Sequence, residues 1–286
     1  MPTAQQRTRY HGRAYYRRRR RRRLMRDALL VLVISVLLLA AYKFFTRNHS
    51  ETVPPDAGSI ITSENAVYEL QTAPPYTVAL DAGHGGQDDG AVGVIKEVNL
   101  TETTVTYLNQ LLAADPNYTP VLCRQNGEGM SIANRAAAAT NSKASLFLSI
   151  HGNSDETGTA SGFECFPTPP GRRYSDQSLQ FGNILAQKMG QAGQKLRGET
   201  GVRYTYYLGD KESGYDKIIA EASDTTVRAD LSFGVVEKVA CPSVLVEQCF
   251  VTDAADVDAW GDDDGCRAAA RIYYEAICAY FNTAPQ

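Results

Sequence analysis

Between Pro75 and Asn282 the chain alternates short apolar runs with longer stretches whose apolar residues fall three and four apart. YTVALDA (Tyr76–Ala82) is almost continuously apolar, as expected of a strand covered on both faces. In NLTETTVTYLNQLLAA (Asn99–Ala114), Leu100, Val105, Leu108, Leu111 and Leu112 recur at helical spacing. Asn99, with Glu102 three residues on, gives that helix a capping-box start. The two textures then repeat. Strands are predicted over Thr119–Arg124, Ser145–Asn153, Gly162–Pro167, Leu231–Val239 and Ser243–Phe250. Helices are predicted over Ser131–Asn141, from near Ser175, and over Gly265–Phe281. Residues 191–227 are tyrosine-rich and follow neither period, so they read as an irregular insertion. Apolar strands alternating with helices predict an α/β fold. It is a single domain over residues 75–282, with a twisted, mostly parallel sheet flanked by helices on both faces.

The N-terminal region has a different texture. Ala28–Phe45 is an 18-residue apolar run whose one charge is Lys43. At about 1.5 Å per helical residue it just crosses a bilayer core of about 30 Å. Residues 1–26 hold eleven arginines and no acid, seven of them consecutive (Arg17 to Arg23). The positive-inside rule therefore predicts a basic cytoplasmic arm (1–27), a transmembrane signal anchor (28–45) and an extracytoplasmic remainder. A cleaved signal peptide, giving a secreted protein, is the alternative; Leu38-Leu39-Ala40 is a poor cleavage site. Residues 46–74, rich in Pro, Ser and Thr, read as a stalk.

The formal net charge of −3 hides a strong asymmetry: from position 50 on, 16 basic residues face 31 acidic ones. An acidic body repels phosphates, so the arginine run reads as a membrane flank and no nucleic-acid partner is expected. All six cysteines lie in the exported part, with no close pair to hold zinc. Cys123 and Cys249 fall in apolar runs and read as buried thiols.

Only two of the four histidines fall in the domain. His84, in the small-residue turn LDAGHGGQDDGA, follows the first strand by two residues, and His151 ends the third. Ligands gather at the carboxyl ends of parallel strands, and SVLVEQCF brings Glu247 to the same rim. Two histidines need a further ligand, typically a carboxylate, to make a catalytic zinc site with one open position. Asp88, Asp89 and Glu97 are the candidates. A phosphate-cradling loop is excluded because Asp88 stands at the third glycine position, and no G-x-S-x-G nucleophile elbow exists.

DAGHGGQDDGAVG, KEVNL, Arg135 with Asn141, LFLSIHGN and PSVLVEQCF, in that order, resemble the motifs of zinc-dependent N-acetylmuramoyl-L-alanine amidases of type 3, bacterial cell-wall hydrolases. The resemblance runs from about Val78 to Phe281. It implies one Zn²⁺ held by His84, Glu97 and His151, with Glu247 as catalytic general acid and base. It implies cleavage of the amide between N-acetylmuramic acid and L-alanine, with peptidoglycan as the partner. It also gives Asn153 and Arg135 a substrate-binding or ligand-supporting role. The loop before Glu97 is about two residues shorter than the family pattern, and Cys249 and Asp253 replace a usual Gly and Asn. A stem-peptide zinc carboxypeptidase is the alternative, with Arg124 or Arg135 holding a terminal carboxylate. A peptidoglycan-binding module without activity is the other.

Overall fold

The computed structural model describes residues 68–210 and 214–286. The basic arm and the predicted anchor (28–45) lie outside the described residues, as does most of the stalk. No helix among the described residues is long and apolar enough to cross a membrane.

Seven strands are described: β1 (Tyr76–Ala82), β2 (Tyr118–Leu122), β3 (Leu146–Asn153), β4 (Glu164–Pro167), β5 (Arg203–Asp210), β6 (Gly214–Glu221) and β7 (Ser243–Phe250). The helices are α1 (Glu97–Ala114), α2 (Ile132–Asn141), α3 (Ser175–Gln191), α4 (Gly234–Glu237), α5 (Ala254–Trp260) and α6 (Asp263–Phe281). Five strands form one sheet in the order β2-β1-β3-β7-β4, parallel except for β4. The expected α/β sheet is therefore present.

Strand side chains alternate between the two faces. Val78, Leu80, Leu146, Leu148, Ile150, Val244 and Val246 join the larger core, packed with residues of α1, α3 and α6. Ala79, Phe147 and Leu245 join the smaller one, with Ala136 and Ala139 of α2 and Val235 and Val236 of α4. Both faces are covered, which is why the strands read as continuous apolar runs. On the smaller-core face the apolar row turns polar towards the strand ends: Phe147 is followed by Ser149 and His151, and Leu245 by Glu247. The site begins where that row runs past its helical cover.

Four expectations are corrected. The stalk does not extend to residue 74: Tyr68 and Leu70 pack on the smaller core, and the Tyr68 hydroxyl donates to the Ala144 carbonyl at 2.7 Å. The Gln71 amide oxygen accepts from the Thr77 backbone at 2.6 Å and the Ser145 hydroxyl at 2.9 Å. Residues 191–227 are not irregular throughout, because β5 and β6 form an antiparallel hairpin there. β5 buries Tyr204, Thr205, Tyr206 and Tyr207 consecutively, so neither face is polar and no alternation shows in the sequence. The strand expected over Leu231–Val239 is replaced by the single turn α4. Val235 and Val236 of α4 and Val239 just beyond it all enter the smaller core, and that packing overrides the β-branched propensity. Helix α5 was not foreseen; the Asp253 carboxylate caps it by accepting from the Asp256 amide at 2.8 Å.

Candidate metal centre and active site

His84 sits in a turn held by two buried arginines. The Arg124 guanidinium donates to the carbonyls of Ala82 (2.8 Å) and Gly83 (2.9 Å). Arg135 pairs with Asp81 at 2.8 Å and donates to the carbonyls of Ala82 and His84. The Thr101 hydroxyl, from α1, donates to Gly83 at 3.0 Å. Every carbonyl from Ala82 to His84 is thus satisfied without the strand ladder, and His84 is held with φ 61°.

Two glycines then explain the small residues around it. A Cβ on Gly83 would lie 2.4 Å from the His151 ring. One on Gly90 would lie 2.7 Å from both the Glu97 carboxylate and the His84 ring. Glycine at both positions keeps the space in which three side chains meet.

Those side chains are His84, Glu97 and His151. One ligand atom from each lies within 4.8 Å of the others. His84 Nε2 is 2.9 Å, and His151 Nδ1 3.0 Å, from the same Glu97 oxygen. Glu97 is the first residue of α1, not a loop residue two positions before an Asn99 cap: Lys96 is the N-cap and offers no side-chain bond. The short loop before it folds back on itself. Val98 N donates to Asp89 O at 3.1 Å and Glu97 N to Ala91 O at 2.9 Å. Starting the helix two residues early carries Glu97 to the cluster despite the shorter loop. Its carboxylate also accepts from the backbone of Ala91 (2.9 Å) and Gly152 (3.0 Å).

Of the three acids weighed from the sequence, Glu97 joins the cluster, Asp89 pairs with Lys96 at 2.9 Å, and Asp88 takes a supporting place. Asp88 lies 2.9 Å from His84 Nδ1 and leaves Nε2 to face the cluster. A carboxylate behind a ligating histidine fixes the ring and its tautomer. Two imidazoles and a carboxylate are the donor set that zinc takes at catalytic sites, and three protein donors leave a position open. The donor chemistry and the glycine cradle fit such an ion.

The electrostatics match. Burial disfavours the His84 cation, but hydrogen bonds to Asp88 and Glu97 more than offset it and push the ring up to about 10. Burial likewise disfavours the Glu97 anion, and the two imidazoles overcome it and hold the carboxyl well below its usual range. Glu247 behaves oppositely. It is the register partner of His151 on one side and of Glu164 on the other. Its Oε2 is buried and has no hydrogen-bond partner among the described residues. Burial first, then the Glu97 charge, raise it well above the usual range, while Lys217 opposes them.

The remaining sequence candidates do not face the cluster. Arg135 is buried and spent on the His84 turn, so it positions that turn and is not available to substrate. Arg124 has a fully buried side chain that also pairs with Glu102 at 2.6 Å. Asn153 donates to buried Glu164 at 2.6 Å and supports the neighbour of Glu247. Cys249 does not line the site. The register shifts between His151 and Asn153, the alternation breaks, and Cys249 enters the larger core. All six cysteines are buried free thiols. The sequence reading missed Lys217 and Glu164. Glu164 reads as an ordinary strand residue, and Lys217 lies in the stretch taken as irregular.

Residues 78–279 match the family described as N-acetylmuramoyl-L-alanine amidase. The probable N-acetylmuramoyl-L-alanine amidase AmiB of Haemophilus influenzae is 28% identical over 228 residues, covering 73% of this chain and 52% of that protein. N-acetylmuramoyl-L-alanine amidase LytC of Bacillus subtilis is 29% identical over 210 residues, covering 72% of this chain and 35% of that one. The chain therefore spans about half or less of the length of these two relatives. Among solved structures, the catalytic domain of the amidase CwlV from Bacillus (Paenibacillus) polymyxa var. colistinus aligns with a TM-score of 0.57 and 25% identity. That alignment covers 73% of this chain and 99% of the domain. An amidase from Clostridium difficile 630 (TM-score 0.58, 22% identity, 74% of this chain and 98% of that one) shares the fold.

Proposed function

The chain belongs to the type 3 family of N-acetylmuramoyl-L-alanine amidases, and from that premise we propose that it hydrolyses the amide joining N-acetylmuramic acid to L-alanine in peptidoglycan. The observation that carries this reading is a pair of neighbours on one sheet rim. A His84–Glu97–His151 donor cluster lies one strand away from Glu247, a half-buried residue with one buried, unpartnered carboxylate oxygen.

His84, Glu97 and His151 would hold one Zn²⁺. Bound there, zinc would lower the pKa of water towards about 7 and polarise the scissile carbonyl. The chain's own residues supply the rest. Asp88 holds Nδ1 of the His84 ring and leaves Nε2 turned to the Glu97 carboxylate, where it would serve as a ligand. Arg124, Arg135 and Thr101 fix the turn that carries it. Glu247 takes the proton from the attacking water and delivers it to the leaving nitrogen of alanine. Burial raises the Glu247 carboxyl well above the usual range, which favours the form that delivers a proton to the leaving nitrogen.

The carboxypeptidase alternative has less support. Such an enzyme needs a fixed, accessible arginine for a terminal carboxylate. Arg124 and Arg135, the two weighed for that role, are buried and fully engaged. We read residues 28–45 as a signal anchor that keeps this domain outside the cytoplasmic membrane, on the strength of the arginine flank.

One digestion separates the readings. Zinc-loaded full-length protein is incubated with purified sacculi and the released fragments are identified. Free amino-terminal L-alanine on released peptides is the expected product. Loss of terminal D-alanine alone would establish the carboxypeptidase instead, and binding without release would establish the idle module.

A further inference from the structure

A second carboxylate stands beside Glu247, and the sheet fixes its place. Glu164 on β4 and Glu247 on β7 are direct partners in an antiparallel ladder. Side chains so paired point to the same face, with Cβ atoms about 5 Å apart. Glu164 is buried and fully engaged. Its Oε1 accepts from the Asn153 amide at 2.6 Å and lies 3.1 Å from Arg197 Nε, and its Oε2 accepts from Arg203 at 2.8 Å. Glu247 Oε2 is buried and has no hydrogen-bond partner among the described residues. Two guanidiniums thus stop at one carboxylate and leave its neighbour bare.

The chain brings both arginines here by running beside β4. Arg197 N donates to the Phe163 carbonyl at 3.0 Å, and Cys165 N to the Gly201 carbonyl at 2.8 Å. The two arginines are not held alike. Arg203 keeps a second carboxylate, Glu221, at 2.9 Å. Arg197 has no second carboxylate among the described residues; its guanidinium rests on the Phe250 ring, 4.6 Å from the centre. Its Nε is buried and makes no aligned hydrogen bond. Phe250 ends the strand that carries Glu247. Arg197 therefore lies over the end of β7, between Glu164 and Phe250, tied by one ion pair.

Charge-assisted pairs are the strong hydrogen bonds, and a half-buried carboxylate draws any guanidinium left without a partner. Without the Glu164 charge, the adjacent open acceptor for Arg197 is the orphaned Glu247 oxygen. A Glu247 locked in that pair would be a weaker base and would hold no proton to deliver.

We propose that Glu164 is a positioning residue that keeps the Arg197 guanidinium off Glu247 and so leaves the Glu247 carboxyl free to act. The consequence for rate rests on the amidase reading above, and the contact itself does not. Asn153 and Arg203 hold the Glu164 carboxylate where it meets Arg197.

The test uses zinc-loaded full-length protein as wild type, Glu164→Gln and Glu164→Gln/Arg197→Met, assayed by release of amino-terminal L-alanine from a soluble muropeptide. Glu164→Gln keeps the shape and removes the charge. It should lower kcat by about 10²-fold, the lower end of what a general acid–base group contributes, with KM and zinc content unchanged. Removing Arg197 from the same chain should restore about tenfold or more of that loss, a coupling between neighbouring groups. A purely structural Glu164 gives the opposite sign, because a second deletion in one network adds to the damage. A double variant as slow as Glu164→Gln, or a Glu164→Gln enzyme at near-normal rate, overturns the inference and leaves the amidase reading intact. Where Glu164→Gln does not fold, the double variant decides alone: a loss under about tenfold supports the inference, and a larger loss or failure to fold overturns it. A structure of Glu164→Gln reads the contact without any assay. Arg197 within hydrogen-bonding distance of Glu247 is expected, and Arg197 left on the Phe250 ring without touching Glu247 overturns the inference. If wild type releases no L-alanine, the amidase reading fails, and the contact still stands or falls on that structure.

Discussion

The half of the rim built from β1, β3 and the start of α1 leaves its carboxylate fully engaged, and the half built from β7 does not. Glu97 faces two imidazoles and two backbone amides. Glu247, one strand over, keeps a buried oxygen without a partner. Both carboxyls pay the same desolvation penalty in kind, yet one is held well below its usual range and the other driven well above it. Separated titration of neighbouring carboxyls marks different jobs. A saturated network fixes an atom in place, and an orphaned acid keeps its proton-transfer capacity uncommitted.

Removing one member from each half is the largest expected effect and separates the halves most directly. His84→Ala should abolish both bound zinc and amide hydrolysis. Glu247→Gln should retain one zinc per chain and lose about 10³-fold in rate, within the range for a general acid–base group. Metal content by elemental analysis and peptide release from sacculi measure the two outcomes. A near-normal rate in Glu247→Gln, or full zinc in His84→Ala, would contradict the division.

A smaller effect tests how the first half is supported. Asp88→Asn keeps the shape but weakens the hold on the His84 ring, and should cost about 10- to 100-fold in zinc affinity. Asn153→Ala, which touches Glu164 and not the cluster, should leave zinc affinity unchanged. Competition with a chromophoric chelator reads both. Equal affinities in the two variants would mean that Asp88 is only a turn former.

The two halves also differed in how far the sequence revealed them. His84, His151 and Glu247 were legible because strand ends are fixed by strand pattern, and parallel strands end on one rim. Glu97 was less so. Its place depends on where α1 begins, and Asn99 with Glu102 offered a plausible start two residues late. Arg135 illustrates a different gap. Its motif position is visible, but not that its guanidinium faces backbone carbonyls of the His84 turn and not solvent. Lys217 was hidden because β5 is buried on both faces and its tyrosines show no period-two contrast. The break in alternation that moves Cys249 into the core leaves no signal in composition at all.

The smallest effect is a stability difference in metal-free protein, and its sign follows from the opposite shifts. His84 is raised, so its pairing with Asp88 and Glu97 is fully stabilising below about 6.5 and is lost as pH rises through about 10. Glu97 is lowered, so its contribution is present above about 4.5 and is lost on acidification. Glu247 is raised, so the folded state prefers its neutral form, and that preference becomes a cost once pH climbs above 4.5. Glu247→Gln removes only this last cost. Metal-free Glu247→Gln should therefore melt about 2–4 °C above wild type near pH 8, the equivalent of about 1 kcal/mol in a domain of this size, and level with it near pH 4. Both proteins should lose stability from neutral pH towards pH 10 as His84 gives up its proton. Zinc should reverse that slope, because binding requires a neutral His84 and releases its proton. Thermal melts across pH, with and without zinc, report all three signs. A Glu247→Gln protein less stable than wild type at pH 8 would show that the orphaned oxygen is satisfied in solution, and the contrast between the two halves would disappear.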